Sequence, residues 1–110
     1  METKTFGARM EAARAKRGLA ADEAAVDARR FLHGLRNVSR MTIYRLESGA
    51  ITEDRADPFV VAALANVYGE STAKLSKIAA ERLQRYRDLL ERRIMCCSVF
   101  PDRRHLAHAS

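Results

Sequence analysis

Asn37-Val38-Ser39-Arg40-Met41-Thr42-Ile43-Tyr44-Arg45-Leu46-Glu47-Ser48-Gly49 reads as a short helix with both ends marked. Ser39 is a good N-cap, because its hydroxyl can accept a hydrogen bond from a free backbone N–H of the first turn. Gly49 supplies the stop. Between them Ile43 and Leu46 recur at helical spacing as inward anchors, and Val38 precedes the cap as a further buried residue. Arg40, Met41, Tyr44 and Arg45 are left on the outward side, with Thr42 at its margin. Such a face suits a major groove. An arginine fork pairs with the two acceptors of a guanine edge, and a methionine or a threonine methyl touches a thymine methyl.

Outward from this segment, strand signals are nearly absent, Pro is scarce, and apolar residues recur at helical spacing, so an all-α chain is expected. Upstream, a first helix is expected from about Thr5 to Arg17, with Phe6, Met10 and Ala13 inward and Gly18 ending it. A second is expected from Leu19 to Leu35. Asp22 and Glu23 suit its start, and Ala24, Ala25, Ala28, Phe31, Leu32 and Leu35 form its buried face. Gly34 and Asn37 mark a break before the next element.

Downstream, the polar connection ITEDRADP leads to Pro58 near a helix start. The fourth helix spans about Pro58 to Val67, with Phe59, Val60, Ala63, Leu64 and Val67 inward and Tyr68-Gly69 closing it. Ser71 or Thr72 then caps a long last helix that reaches Arg93 or beyond. Its apolar positions Leu75, Ile78, Ala79, Leu83, Tyr86, Leu89, Leu90 and Ile94 fall on one wide stripe. This divides the chain into a domain over 1–71, a long helix over 72–97 that closes the core, and a tail over 98–110 expected to fray.

Composition narrows the function classes. Apolar residues make up 47% of the 110, enough for a compact core in a chain of this length. Lys and Arg outnumber Asp and Glu by 20 to 14. That excess favours a polyanionic partner, although a solvated basic surface accounts for it equally well. No stretch approaches the ~18 apolar residues a bilayer span needs, and the opening METKTFGARMEAARAKRG lacks the apolar region of a secretory signal. Cys96 and Cys97 are adjacent, which suits neither a structural disulfide nor, alone, a zinc site. His33, His105 and His108 do not join them at metal-ligand spacing, and no phosphate-binding glycine loop or nucleophile elbow is present. A cytoplasmic protein without metal, cofactor, small-molecule ligand or catalytic centre is expected.

The segment from Val38 to Gly49 resembles the second half of the helix-turn-helix in the phage repressor and Cro family, often called the Xre family. Val38-Ser39, Ile43, Leu46, Glu47 and Gly49 carry the resemblance with correct spacing. Arg14 with Gly18-Leu19 resembles the end of the family's first helix, and Pro58, Leu64-Ala65, Tyr68-Gly69, Ser71 and Leu75 resemble its fourth and fifth. The likeness covers about residues 5 to 80. It implies a five-helix, lambda-repressor-like domain with an extended C-terminal helix. It also implies a sequence-specific DNA-binding transcriptional regulator, of repressor type, that resides on the nucleoid. Arg40, Met41 and Arg45 fall where the family contacts bases. Ser39, Thr42 and Tyr44 fall where it contacts phosphate or supports the base contacts. Arg14 and Glu47 match a partly buried ion pair that joins the first and third helices.

One departure stands out. The stretch from Gly18 to Ser39 is about two helical turns longer than the family norm at ~3.6 residues per turn. Ala20-Ala21 also stand where the family opens its second helix with Ser or Thr and Gln. The added basic residues Arg29, Arg30, His33 and Arg36 either replace the lost phosphate contacts or are solvated positions on a longer helix.

The last helix continues its stripe past what the core needs. Leu83, Tyr86, Leu89, Leu90 and Ile94 would expose a sizeable apolar patch, so a homodimer is expected there. Two-fold pairing would present two reading helices to a palindromic operator in double-stranded DNA. The alternatives are a helix folded back on its own domain, or a protein–protein interaction module, antitoxin-like or anti-repressor, that uses the same helix. A basic helix lying on a membrane over 72–95 is disfavoured by its mixed-charge polar face and its lack of Trp.

Overall fold

The Thr5 hydroxyl accepts a hydrogen bond from Ala8 N–H at 3.2 Å and opens α1, Phe6–Arg17. The helix ends where Gly18 and Leu19 return their N–H groups to Ala15 and Arg14. In the computed structural model, which describes the backbone of residues 4–97 and the side chains of 4–93, five further helices follow: α2 Ala21–Phe31, α3 Arg40–Ser48, α4 Pro58–Tyr68, α5 Thr72–Leu75 and α6 Lys77–Cys97. The described residues contain no strand. The chain is all-α, as its periodicity implies. The expected fraying tail over 98–110 lies outside the described residues.

The centre is α4. Asp57 caps it, accepting from Phe59 N–H at 2.9 Å, and Pro58 occupies the first position, where a missing N–H costs nothing. Val60, Val61, Ala63, Leu64, Ala65 and Tyr68 are all buried, so the helix is apolar nearly all round and sits inside the bundle. Phe6, Met10 and Ala13 of α1, four alanines of α2, Ile43 and Leu46 of α3, Leu75 of α5 and Ala79 of α6 complete the core with Val38 and Ala56 of the connecting segments.

The second helix is shorter than its pattern suggests. It starts at Ala21, where the Glu23 carboxylate accepts the Ala20 N–H at 2.9 Å, and it stops at Phe31 rather than Leu35. The cause is a paired C-terminal closure. His33 N–H returns to Arg30 O at 3.1 Å and Gly34 N–H to Arg29 O at 3.1 Å. Such a closure turns through the left-handed region, and here two successive residues occupy it, His33 at φ 54 and Gly34 at φ 75. The chain therefore leaves the helical stripe. Leu32 still packs on the core, whereas Phe31 and Leu35, expected inside, are exposed, Leu35 to 77%. The extra length before Ser39 is mostly an extended turn over 32–39.

The last helical stretch is interrupted once. Ser76 adopts an extended conformation between α5 and α6 and is 1% exposed. Its hydroxyl accepts Ala79 N–H at 3.0 Å, capping α6, and donates to Glu53 Oε2 at 2.7 Å. Arg9 closes the same knot, donating from Nε to Leu75 O at 2.8 Å and from Nη2 to Glu53 Oε1 at 3.3 Å. The knot fixes the direction in which α6 leaves the bundle. Ser76→Ala removes a cap and leaves the half-buried Glu53 short of a donor. A stability loss of about 1–2 kcal/mol is expected in urea unfolding. An unchanged midpoint would show that Glu53 and Ser76 do not hold this junction.

Candidate nucleic-acid interface

The cap of α3 is reciprocal. Thr42 N–H donates to Ser39 Oγ at 3.2 Å, and Ser39 N–H donates to Thr42 Oγ1 at 3.3 Å. The two hydroxyls also lie 3.1 Å apart, within hydrogen-bond distance. Both side chains are half-buried, so in the free protein they are occupied in starting the helix. Ile43 and Leu46 lie in the core at 1% and 2% exposure. Met41 and Tyr44 are about half exposed, and Arg40 and Arg45 are exposed beside them. Arg45 makes no ion pair among the described residues.

The opposite side of α3 is clamped. Arg14 of α1 donates from Nε to Glu47 Oε2 at 2.7 Å and from Nη2 to Glu47 Oε1 at 2.9 Å, a two-pronged pair. Its Nη1 donates to Leu19 O at 3.0 Å, so one guanidinium ties α1, the α1–α2 turn and α3 together. The hydrogen bond to Glu47 raises the Arg14 pKa above its ordinary value, and the side chain stays charged. Tyr68 is close enough for its charge state to feel both groups. Its buried hydroxyl has no hydrogen-bond partner among the described residues, and burial raises its pKa, which keeps the phenol neutral. Gly7, in the first turn of α1, lies against the backbone carbonyls of Leu46 and Glu47.

The turn leading into α3 is stapled at both ends. Arg29 donates from Nη1 to Val38 O. Arg36 donates from Nε to Asp57 Oδ2 at 2.7 Å and lies 5.1 Å over the Phe59 ring, a cation–π contact. Phe59 in turn meets Tyr86 of α6, centroids 5.3 Å apart and planes inclined by 41°. Two of the four added basic residues thus hold the turn, Arg29 on α2 and Arg36 on the start of α4. Arg30 and His33 are exposed. At the other end of α2, Asp22 Oδ1 lies 3.7 Å from Arg40 Nε.

On α6, Leu83 is half-buried and Tyr86 is half covered by Phe59. Leu89 and Leu90 are exposed to 53% and 60%. The side chain of Ile94 lies outside the described residues. The helix therefore folds back on its own domain as far as Tyr86 and leaves it beyond. Among the described residues, no helix is long and apolar enough to cross a membrane, and no three His, Cys, Asp or Glu side chains are gathered to hold a metal.

Several working residues escape a reading of the sequence. Asp57 had a visible signal, an acid directly before the helix-opening Pro58. Gly7 had a weaker one, a glycine inside a helical pattern. Arg9, Glu53 and Ser76 had none, because their partners are distant in sequence.

With this geometry in place, comparison with known families gives one finding: the family described as a helix-turn-helix domain matches residues 5–78. No curated protein and no solved structure matches the chain.

Proposed function

Because the chain belongs to the helix-turn-helix domain family, we propose that it is a sequence-specific transcriptional regulator that reads double-stranded DNA with α3. It is of the repressor type of phage repressor and Cro proteins, and it acts by occupying its operator. One observation carries the reading. A helix capped by Ser39 and Thr42 and anchored by Ile43 and Leu46 offers Arg40, Met41, Tyr44 and Arg45 outward on one face. Arg40 and Arg45 pair with guanine edges, and Met41 packs on a thymine methyl. Tyr44, Ser39 and Thr42 sit at the margin and support these contacts or reach phosphate, while Arg36 supports them indirectly by holding the turn. Arg14 and Glu47 are scaffold. No catalytic role is part of this reading, which places the protein on DNA in the cytoplasm.

Selection of bound sequences from a random DNA pool tests the proposal. A recovered site with specified base pairs is expected. Arg40→Ala and Arg45→Ala should each weaken binding to that site by ~1–3 kcal/mol and relax preference at one position. If both variants bind it with unchanged affinity at fixed salt, α3 is not the reading element.

The active unit in this reading is a homodimer that binds a palindromic site, with two α3 helices ~34–36 Å apart. The exposed Leu89 and Leu90 beyond the Tyr86–Phe59 contact support it, since a helix seldom shows paired leucines to water without a partner. Leu89→Glu combined with Leu90→Glu should yield a monomer in sedimentation. A wild-type chain that is already monomeric at tens of micromolar, roughly, removes the dimer by mass action. The same leucines favour the second reading, a protein–protein module, if they remain exposed in the DNA-bound assembly.

A further inference from the structure

The start of α2 does not look like a phosphate site. Helix N-termini attract anions through their free N–H groups and dipole, but this one carries its own acids. Glu23 turns back to take the Ala20 N–H at 2.9 Å. Asp22, one residue earlier, faces the first residue of α3, with its Oδ1 3.7 Å from Arg40 Nε. Both members of this pair are well exposed, Asp22 to 69% and Arg40 to 60%. In water such a contact stabilises the fold little. Its meaning changes once α3 lies in a groove.

Resting on the reading of α3 as the DNA-contacting helix, we infer that Asp22 is a positioning residue that sets specificity through Arg40. A guanidinium has five N–H donors in a rigid fork. When Nε faces Asp22, the two terminal nitrogens remain free to meet the O6 and N7 acceptors of a guanine. Asp22 also restrains the alternative. An unrestrained arginine can swing to the nearest phosphate on any sequence, which adds affinity without discrimination. Docking brings Asp22 close to the phosphate backbone and strips its water, so its charge is tolerated only while Arg40 stays beside it. Arg40 is thereby held to the base edge, and the start of α2 is closed to phosphate. The acid lowers binding to random DNA and sharpens the choice at one base pair.

The test uses the full chain and its selected operator, together with an operator in which the guanine read by Arg40 is replaced. Asp22→Asn keeps the shape and removes the charge. It should tighten binding to the replaced operator, lower the ratio of the two affinities about tenfold, and steepen the salt dependence by roughly one phosphate contact. Asp22→Glu should restore most of the ratio. In an Arg40→Ala background, Asp22→Asn should leave the ratio unchanged. Thermal unfolding of each variant should match the parent, since the pair is exposed. A ratio that Asp22→Asn does not alter overturns the inference while the function stands, and so does an equal change in the Arg40→Ala background. If the wild-type chain selects no sequence at all, the reading of α3 fails and this inference falls with it.

Discussion

Glu47→Ala is expected to cost about 3 kcal/mol of stability. The carboxylate is 8% exposed and takes two hydrogen bonds from Arg14, which is itself 18% exposed. Truncation removes those bonds and leaves a guanidinium half-wrapped in protein, with only Leu19 O as partner. The loss is dominated by the charge left behind rather than by the worth of the pair, which yields a sharper expectation. Arg14→Leu and Glu47→Leu made together should be less damaging than either alone, because no unpaired charge remains. Urea unfolding of the two single variants and the double variant measures this coupling directly. The expected coupling is at least ~1–2 kcal/mol. Additive losses would mean that each residue acts through packing, and that the clamp between α1 and α3 is not electrostatic.

That clamp was legible in the sequence only through family likeness, whereas the exposed face of α3 was legible from the residues themselves. Period and caps explain the difference. Ser39, Gly49, Gly18 and Pro58 act on their own or adjacent turns, so their effects can be read locally, and the structure ends or opens helices at each of them. Ile43 and Leu46 recur at helical spacing on one face, between the Ser39 cap and the Gly49 stop, and lie inward. The end of α2 is different. Two successive residues turn through the left-handed region, His33 at φ 54 and Gly34 at φ 75, so the glycine in the sequence marks the second half of the turn while the chain has already left the helix one residue earlier. Phe31 and Leu35 extend an apolar period that the backbone abandons at Leu32. Periodicity counts them inward; hydrogen bonding puts them outside.

The break at Ser76 has a related cause. Leu75, Ile78 and Ala79 carry the apolar pattern straight through it, and a serine is tolerated within a helix. What stops the helix is a half-buried carboxylate, Glu53, 23 residues away. The same holds for Arg36 and Asp57, 21 residues apart, and for Asp22 and Arg40, whose meeting depends on how α2 crosses α3. Local signals place side chains on faces. Which face then meets which is decided by packing, and the polar contacts that tune the reading helix belong to that second level.

Gly7→Ala shows the two levels in conflict. By helix propensity alone the change should stabilise α1 by up to ~1 kcal/mol, because alanine loses less backbone entropy than glycine. The structure reverses the sign. A Cβ at Gly7 would lie 2.2 Å from the Glu47 carbonyl oxygen, 2.9 Å from its carbonyl carbon and 3.0 Å from Leu46 O. All three are backbone atoms of α3, so no side-chain rotation relieves the clash. Either α1 or the end of α3 must shift by about an ångström, which separates Phe6 and Met10 from Ile43 and Leu46 and strains the Arg14–Glu47 pair. Overpacking of this kind costs ~1–3 kcal/mol, and backbone contacts place it at the upper end. Urea unfolding should show a net loss of about 2–3 kcal/mol. Ala15→Gly, on the exposed side of the same helix, should lose only ~1 kcal/mol from propensity. DNA binding gives a second readout, since a displaced α3 carries Arg40 and Arg45 with it and weakens operator affinity even in the fraction that remains folded. A Gly7→Ala protein as stable as its parent would mean that α1 and α3 are not in backbone contact at this point.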